Sequence, residues 1–281
     1  MSLNERSFTN IHDFLKKNSG ISVQKDKMYL LESRLNPLVR KHNVSSLEKL
    51  VDMVCSDPTS AFAHEVIDCM TTNETLFFRD SYPFNALREI VFPELMAMPA
   101  ANLRNIKIWS AASSRGQEAY SIAMTALDVL PGADKQVKIL ATDLSPPAVE
   151  YARGGIYSQF EVQRGMPIQE LIKHFTQLGD SSWQVNDKLR GMLSFDVANL
   201  ISDNLIHTVR HHSEFDVVFC RNVLIYFEVE ERRKVIDRIA KVMRPGAYLF
   251  TGNGERVEGE NSKWEAVNYN KRPFWKMLSS R

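Results

Sequence analysis

No apolar run in this chain approaches the ~20 residues that cross a bilayer, so direct membrane insertion is not expected. The opening MSLNERSFTN is polar and lacks the apolar core of a signal peptide. Cysteine is scarce. Cys55, Cys69 and Cys220 are odd in number and lack metal-ligand spacing, as fits reduced thiols in a cytoplasmic protein. His211 and His212 have no nearby ligand partners and read as loop residues, so no metal is expected. Charge of one sign is also missing. A formal net charge of +1 gives no global field toward nucleic acid or membrane. Internal repeats and low-complexity tracts are absent.

Three short apolar runs are present instead, each ending in polar residues: Ile106 to Glu118, Val137 to Ser145 and Phe215 to Val223. Such runs alternating with helical patterns read as buried strands of a parallel sheet, an α/β fold of Rossmann-like type. Ligands of such sheets bind outside the carboxyl ends of the strands. Those ends carry Glu118, Asp143, Arg221 and Asn222.

Before the first run the pattern is helical. Leu31, Leu35, Leu38 and Val39 share one face, although Pro37 is expected to kink or break that helix. Ser56-Asp57-Pro58 reads as the start of a helix ending near Met70. From Leu15 to Leu50 there are eight basic and three acidic residues, a local +5. This is either a docking surface for an acidic partner or a solvated helix face. The chain divides into a helical domain over 1–75 and an α/β domain over 76–281. A linker helix is expected over 82–98, with Pro99 to Asn102 as a loop. A glycine-marked insertion over about 155–195 contains a small antiparallel element. Arg244-Pro245-Gly246 stops a helix before the strand AYLFTG.

Individual residues point to a nucleoside site. Asp143 ends a strand after a strand–turn–helix, where a carboxylate accepts both ribose hydroxyls; the alternative is a turn or cap. Its neighbour Ser145, with Pro146 behind it, caps the next helix. The turn SAASSRGQE has one glycine, too few for a pyrophosphate cradle. That favours a cofactor without phosphate, such as S-adenosylmethionine. Glu118 sits in a first helical turn, where a carboxylate suits the dipole or a cationic ligand group. Arg79 follows two phenylalanines and is a carboxylate clamp or a salt-bridge partner of Asp80 or Glu74. Asn222 offers donor and acceptor to a polar ligand edge, and Tyr226 lines the reaction site or belongs to the core.

Together MTTNETLFFRD, WSAASSRGQEAYSIA, ATDLS, DVANL and FDVVFCRNVLIYF resemble the ordered motifs of the CheR-type chemoreceptor glutamate O-methyltransferases, and RPGAYLF resembles the strand entry that follows them. The resemblance implies a Rossmann-like methyltransferase domain with an N-terminal all-helical domain and a small β-subdomain insertion. It implies S-adenosylmethionine as cofactor, S-adenosylhomocysteine as product, and cofactor contacts from Asn73, Thr75, Arg79, Glu118, Asp143, Asn199, Leu200, Arg221, Asn222 and Val223. Arg79 and Tyr226 match positions flanking the transferring methyl. Lys27, Arg34, Arg40 and Lys41 are the candidates for docking chemoreceptor cytoplasmic helices. The first turn departs from the family's more usual cysteine and proline. The short insertion counts against binding of a receptor's tethering pentapeptide, and Asn270 to Arg281 matches nothing.

A glutamate acceptor is ionised at neutral pH and needs no general base, so positioning and water exclusion dominate. Two alternatives stay open: a non-catalytic receptor-binding module that holds the cofactor, and a methyltransferase of another substrate. The lack of an Asn-Pro-Pro-Tyr type motif and the even charge argue against nucleic acid.

Overall fold

A computed structural model describes residues 3–97, 105–212, 214–257 and 263–278. Four helices open the chain: α1 (Glu5–Ser19), α2 (Met28–Lys41), α3 (Leu47–Ser56) and α4 (Ala61–Met70). Side chains of Asn4, Ser46 and Ser60 accept the N–H groups of Ser7, Lys49 and Ala63 and so satisfy donors that have no partner within the helix. Ile11, Leu15, Leu31, Leu35, Leu50, Val51 and Val66 bury their side chains in one shared core. Of the two outcomes expected at Pro37, a kink or a break, the break does not occur, since α2 continues to Lys41. One expectation needs correction. Ser60, not Ser56-Asp57-Pro58, starts α4, because Asp57 is used in a turn that accepts from Thr59.

The next helical stretch runs Tyr82–Ala86, a π-helical turn Leu87–Val91, and Phe92–Met96. Pro93 has no N–H to donate, and the wider turn precedes it. The loop expected over 99–102 lies outside the described residues.

Strands follow as β1 (Ile106–Ala111), β2 (Val137–Asp143), β3 (Ile156–Ser158), β4 (Phe175–Leu178), β5 (Ser182–Val185), β6 (Leu193–Val197), β7 (Phe215–Cys220), β8 (Met243–Thr251), β9 (Trp264–Tyr269) and β10 (Arg272–Met277). Seven form one sheet in the order β6-β2-β1-β7-β8-β10-β9. The first five are mutually parallel, and β10 runs antiparallel to both its neighbours. Alternation along a strand sends side chains to opposite faces. Thus Ile108, Val217, Phe219, Tyr248 and Phe250 join one core, and Trp109, Val218 and Leu249 join the other. The three expected strands are β1, β2 and β7, and every residue of β7 is buried.

The antiparallel element of the insertion is the separate sheet β3-β5-β4. The insertion ends earlier than expected, however. Leu193–Val197 pairs in parallel with β2 as an edge of the main sheet. Likewise Arg244-Pro245-Gly246 lies inside β8, since the preceding helix already ends at Ala240. Trp264–Tyr269 and Arg272–Met277 form a hairpin whose turn residues, Asn270 and Lys271, have φ of 50° and 65°.

Candidate active site

The carboxyl ends of β1, β2, β6 and β7 open into one pocket, covered by α1 and by the segment 70–79. The sequence-derived residues Asn73, Thr75, Arg79, Glu118, Asp143, Asn199, Leu200, Arg221, Asn222, Val223 and Tyr226 all line it. Lys27, Arg34, Arg40 and Lys41 do not.

The turn after β1 is built by backbone conformations that side chains rarely adopt. Ala112 and Ser114 have φ of 60° and 51°, and Gly116 has 89°. A Cβ on Gly116 would lie 2.8 Å from the Ala152 Cβ, which explains the turn's one glycine. The turn is held by Asp143. Its Oδ2 accepts the Ser114 N–H at 2.7 Å and its Oδ1 accepts the Ser145 N–H at 2.9 Å. Turn building and ligand binding are therefore compatible, because each carboxylate oxygen retains a second lone pair. Burial pushes the Asp143 carboxyl above its usual pKa, against the lowering effect of those two N–H groups.

Glu118 accepts from the Ser110 hydroxyl at 2.8 Å and from Arg221 Nη1 at 2.8 Å. Arg221 is almost wholly buried, and its Nη2 also reaches the Asp80 carboxylate at 2.6 Å and the Arg79 carbonyl at 3.1 Å. Its guanidinium thus ties the 79–80 loop to Glu118. That loop is strained, with Phe78, Asp80 and Ser81 at φ of 51°, 68° and 49°. Neither acid expected as a salt-bridge partner for Arg79 takes that role. Asp80 pairs with Arg221 and Glu74 with Arg164. The half-buried Arg79 donates only to the Glu74 carbonyl, at 3.3 Å, and meets no carboxylate among the described residues.

Several lining residues went unassigned in the sequence. Ser19 and Ile21 come from the helical domain, where Gly20 caps α1 at φ 76°. A Cβ there would sit 2.8 Å from Ile201 Cγ2 and from Phe227 Cε1, so glycine permits the close approach. Asn199 Nδ2 donates to the Asn18 carbonyl at 2.7 Å, and the Ser22 N–H donates to the Tyr226 carbonyl at 2.9 Å. Leu144 and Ala198 join Leu200 as apolar lining beside Asp143. Gly20, a glycine after a helical pattern, is the one signal in the sequence that could have marked this approach.

The four basic candidates differ in surroundings. Arg34 donates to the Met70 and Thr71 carbonyls at 2.7 and 3.0 Å and to the Thr72 hydroxyl at 2.9 Å, clamping the pocket wall. Lys41 pairs with Glu65, whereas Lys27 and Arg40 are exposed. Elsewhere Asp128, Glu170 and His174 bring ligand atoms within 4.8 Å of one another. Asp128 already faces Lys173 and Arg88, two cations that compensate its charge.

The donor set fits S-adenosylmethionine. Asp143 offers paired acceptors for ribose hydroxyls, Leu144, Ala198 and Leu200 suit a flat base, and Glu118 is an anion for an ammonium. The buried Ser113 hydroxyl lines the pocket with no hydrogen-bond partner among the described residues, as expected of a group awaiting a polar ligand.

Comparison with known proteins agrees. The family model for the SAM-binding domain of CheR methyltransferases matches residues 73–272, and that for the family's all-alpha domain matches 6–71. A chemotaxis protein methyltransferase 1 of Vibrio cholerae serotype O1 is 39% identical over 280 residues, 99% of this chain and 98% of that protein. A chemotaxis protein methyltransferase of Vibrio parahaemolyticus is 38% identical with the same coverage. The Pseudomonas putida protein Cher2, a chemotaxis protein methyltransferase, is 37% identical over 95% of this chain and 96% of its own.

Proposed function

The chain belongs to the CheR methyltransferase family, and on that premise we propose that it forms glutamyl methyl esters on the cytoplasmic helices of chemoreceptors. It is an S-adenosylmethionine-dependent methyltransferase, and chemotaxis is its setting. The acceptor assignment rests on Arg79, a guanidinium at the pocket with no carboxylate of its own among the described residues. Its planar fork matches a carboxylate. The lining, among the described residues, holds no histidine or lysine to act as a base. A glutamate of pKa ~4.3 needs none at neutral pH, unlike an amine or hydroxyl.

When bound, the cofactor supplies an electrophilic methyl group on a sulfonium. The chain's own residues do the rest. Asp143 holds the ribose, Glu118 holds the ammonium, and Asn222 meets a polar edge. Arg79 orients the acceptor carboxylate while Tyr226 shapes the methyl's surroundings and excludes water. The test is transfer of radiolabelled methyl to receptor signalling domains, in the cytoplasm's neutral pH range. Label released by mild alkali supports an ester. Alkali-stable label, or none on any receptor despite S-adenosylhomocysteine binding, contradicts it.

The raised pKa of Asp143 gives the binding step a pH dependence. Two hydroxyl donors require the ionised carboxylate. Affinity for S-adenosylhomocysteine therefore declines as pH falls through a value raised, by burial, above that of a free aspartate. Calorimetry across a pH series reads this directly; an affinity that stays flat down to the acid limit of folding contradicts it.

Lys27, Arg40 and Lys41 are proposed to face the acidic receptor surface, with Arg34 holding the pocket wall behind them. Exposed charges contribute modestly and are screened by salt. Lys27→Ala and Arg40→Ala are each expected to raise the receptor KM by roughly two- to fivefold at low ionic strength, and the double variant to flatten the salt dependence. Equal salt dependence in wild type and double variant would leave these side chains as ordinary solvated charges.

A further inference from the structure

Beyond the residues that line the pocket, we infer that Glu255 is a positioning residue that fixes the Asn222–Tyr226 loop for cofactor and acceptor. After β7 the chain leaves the sheet, and its N–H groups lose their strand partners. Asn222 turns into the left-handed region at φ 58°. Val223 and Tyr226 then line the pocket, within and beside a 3-10 turn over Leu224–Tyr226. A carboxylate just past the carboxyl end of the neighbouring strand β8 supplies the missing acceptors. Glu255 Oε2 accepts the Asn222 N–H at 2.8 Å and the Gly252 N–H at 2.6 Å, and Oε1 accepts the Ile225 N–H at 3.1 Å.

Glu255 is itself locked. Its N–H donates to the Gly252 carbonyl at 3.0 Å, and the Thr251 hydroxyl donates to its carbonyl at 3.0 Å. Its residue is 9% exposed, and no cation pairs with it among the described residues, since the neighbouring Arg221 faces Glu118 and Asp80. Its negative charge is therefore balanced by peptide N–H groups, an arrangement that demands the loop's present conformation. Gly252 completes the device. A Cβ there would lie 2.5 Å from Glu255 Oε2 and 2.6 Å from the Asn222 nitrogen. The carboxylate is absent from the pocket lining, so it acts only through Asn222, Val223 and Tyr226. The inference rests on the cofactor site proposed above, and not on the identity of the methyl acceptor.

The test uses the full chain, S-adenosylhomocysteine as probe and Glu255→Gln as variant. The amide keeps one acceptor but turns an N–H₂ toward an N–H. Affinity is expected to fall at least ~10-fold, the effect of losing one charge-assisted hydrogen bond and opposing two donors. Amide exchange at Asn222 and Ile225 should accelerate while β7 stays protected. Val137→Ala serves as control, because it destabilises the fold from a fully buried position at the amino end of β2, in the other core and at the opposite end of that strand from Asp143. Its affinity should stay within about twofold of wild type. The inference fails if Glu255→Gln binds as the wild type does, or if the control loses affinity in proportion to stability. In the wild-type chain, fast exchange at Asn222 and Ile225 would overturn it without any variant. If the wild type does not bind the probe, the cofactor reading itself falls, while exchange at these two amides still decides whether Glu255 holds the loop.

Discussion

Asp143→Ala is expected to weaken S-adenosylhomocysteine binding by ~100-fold or more. Two charge-assisted hydrogen bonds to ribose hydroxyls contribute roughly 1.5–3 kcal/mol each, and both vanish. The backbone N–H groups of Ser114 and Ser145 also lose their acceptor, which loosens the turn that shapes the site. Asp143→Asn should fall between the two, since one amide oxygen remains an acceptor while the N–H₂ faces a backbone donor. Isothermal titration separates these cases. A loss of less than about fivefold in Asp143→Ala would mean that the ribose is held elsewhere.

Arg79→Ala is expected to show the opposite division of effects. Turnover on receptor should drop by roughly 10²–10³, the equivalent of a lost bidentate contact to a carboxylate. Affinity for S-adenosylhomocysteine should change only a few-fold, because the ribose and ammonium sites do not depend on this guanidinium. Arg79→Lys should restore little, since an ammonium lacks the planar fork. Single-turnover kinetics beside calorimetry give both quantities. If Arg79→Ala abolishes cofactor binding instead, its placement at the acceptor is wrong.

These two residues were legible in the sequence for different reasons. Asp143 stood at the end of an apolar run, and a parallel strand buried but for Lys138 announces its own end by that contrast. Arg79 carried no such mark: its fork beside two phenylalanines left a carboxylate clamp and a salt bridge both open, and resemblance to an ordered set of motifs set it near the methyl. Its freedom from Asp80 and Glu74 became visible only in three dimensions, where Arg221 and Arg164 claim those acids. The strands that went unread share a cause. Leu193–Val197 is an edge strand of mixed character, exposed at Asp196 and Val197. The hairpin Trp264–Tyr269 and Arg272–Met277 places charged residues on an open face and turns at Asn-Lys, not at the Asn-Gly that signals such a turn.

What the pattern hid most completely were contacts made over long sequence separations. Ser19 and Ile21 approach the sheet tips only because α1 docks there, with Gly20 against Ile201 and Phe227. Arg34 reads as one more cation of a basic segment, yet it binds two backbone carbonyls and a hydroxyl of the pocket wall. Glu255 pairs with main-chain N–H groups, which leave no trace in composition. Hydrogen bonds of this kind depend on backbone path rather than on residue identity.

The central claim is that an S-adenosyl cofactor lies across the carboxyl ends of β1, β2 and β7 with its methyl directed to the Arg79–Tyr226 side. A crystal structure of the complex with S-adenosylhomocysteine tests it most directly. The account predicts both ribose hydroxyls within hydrogen-bonding distance of the Asp143 carboxylate, and the sulfur on the side of Arg79 and Tyr226. Ribose bound away from Asp143, or a sulfur facing the opposite end of the pocket, would contradict it.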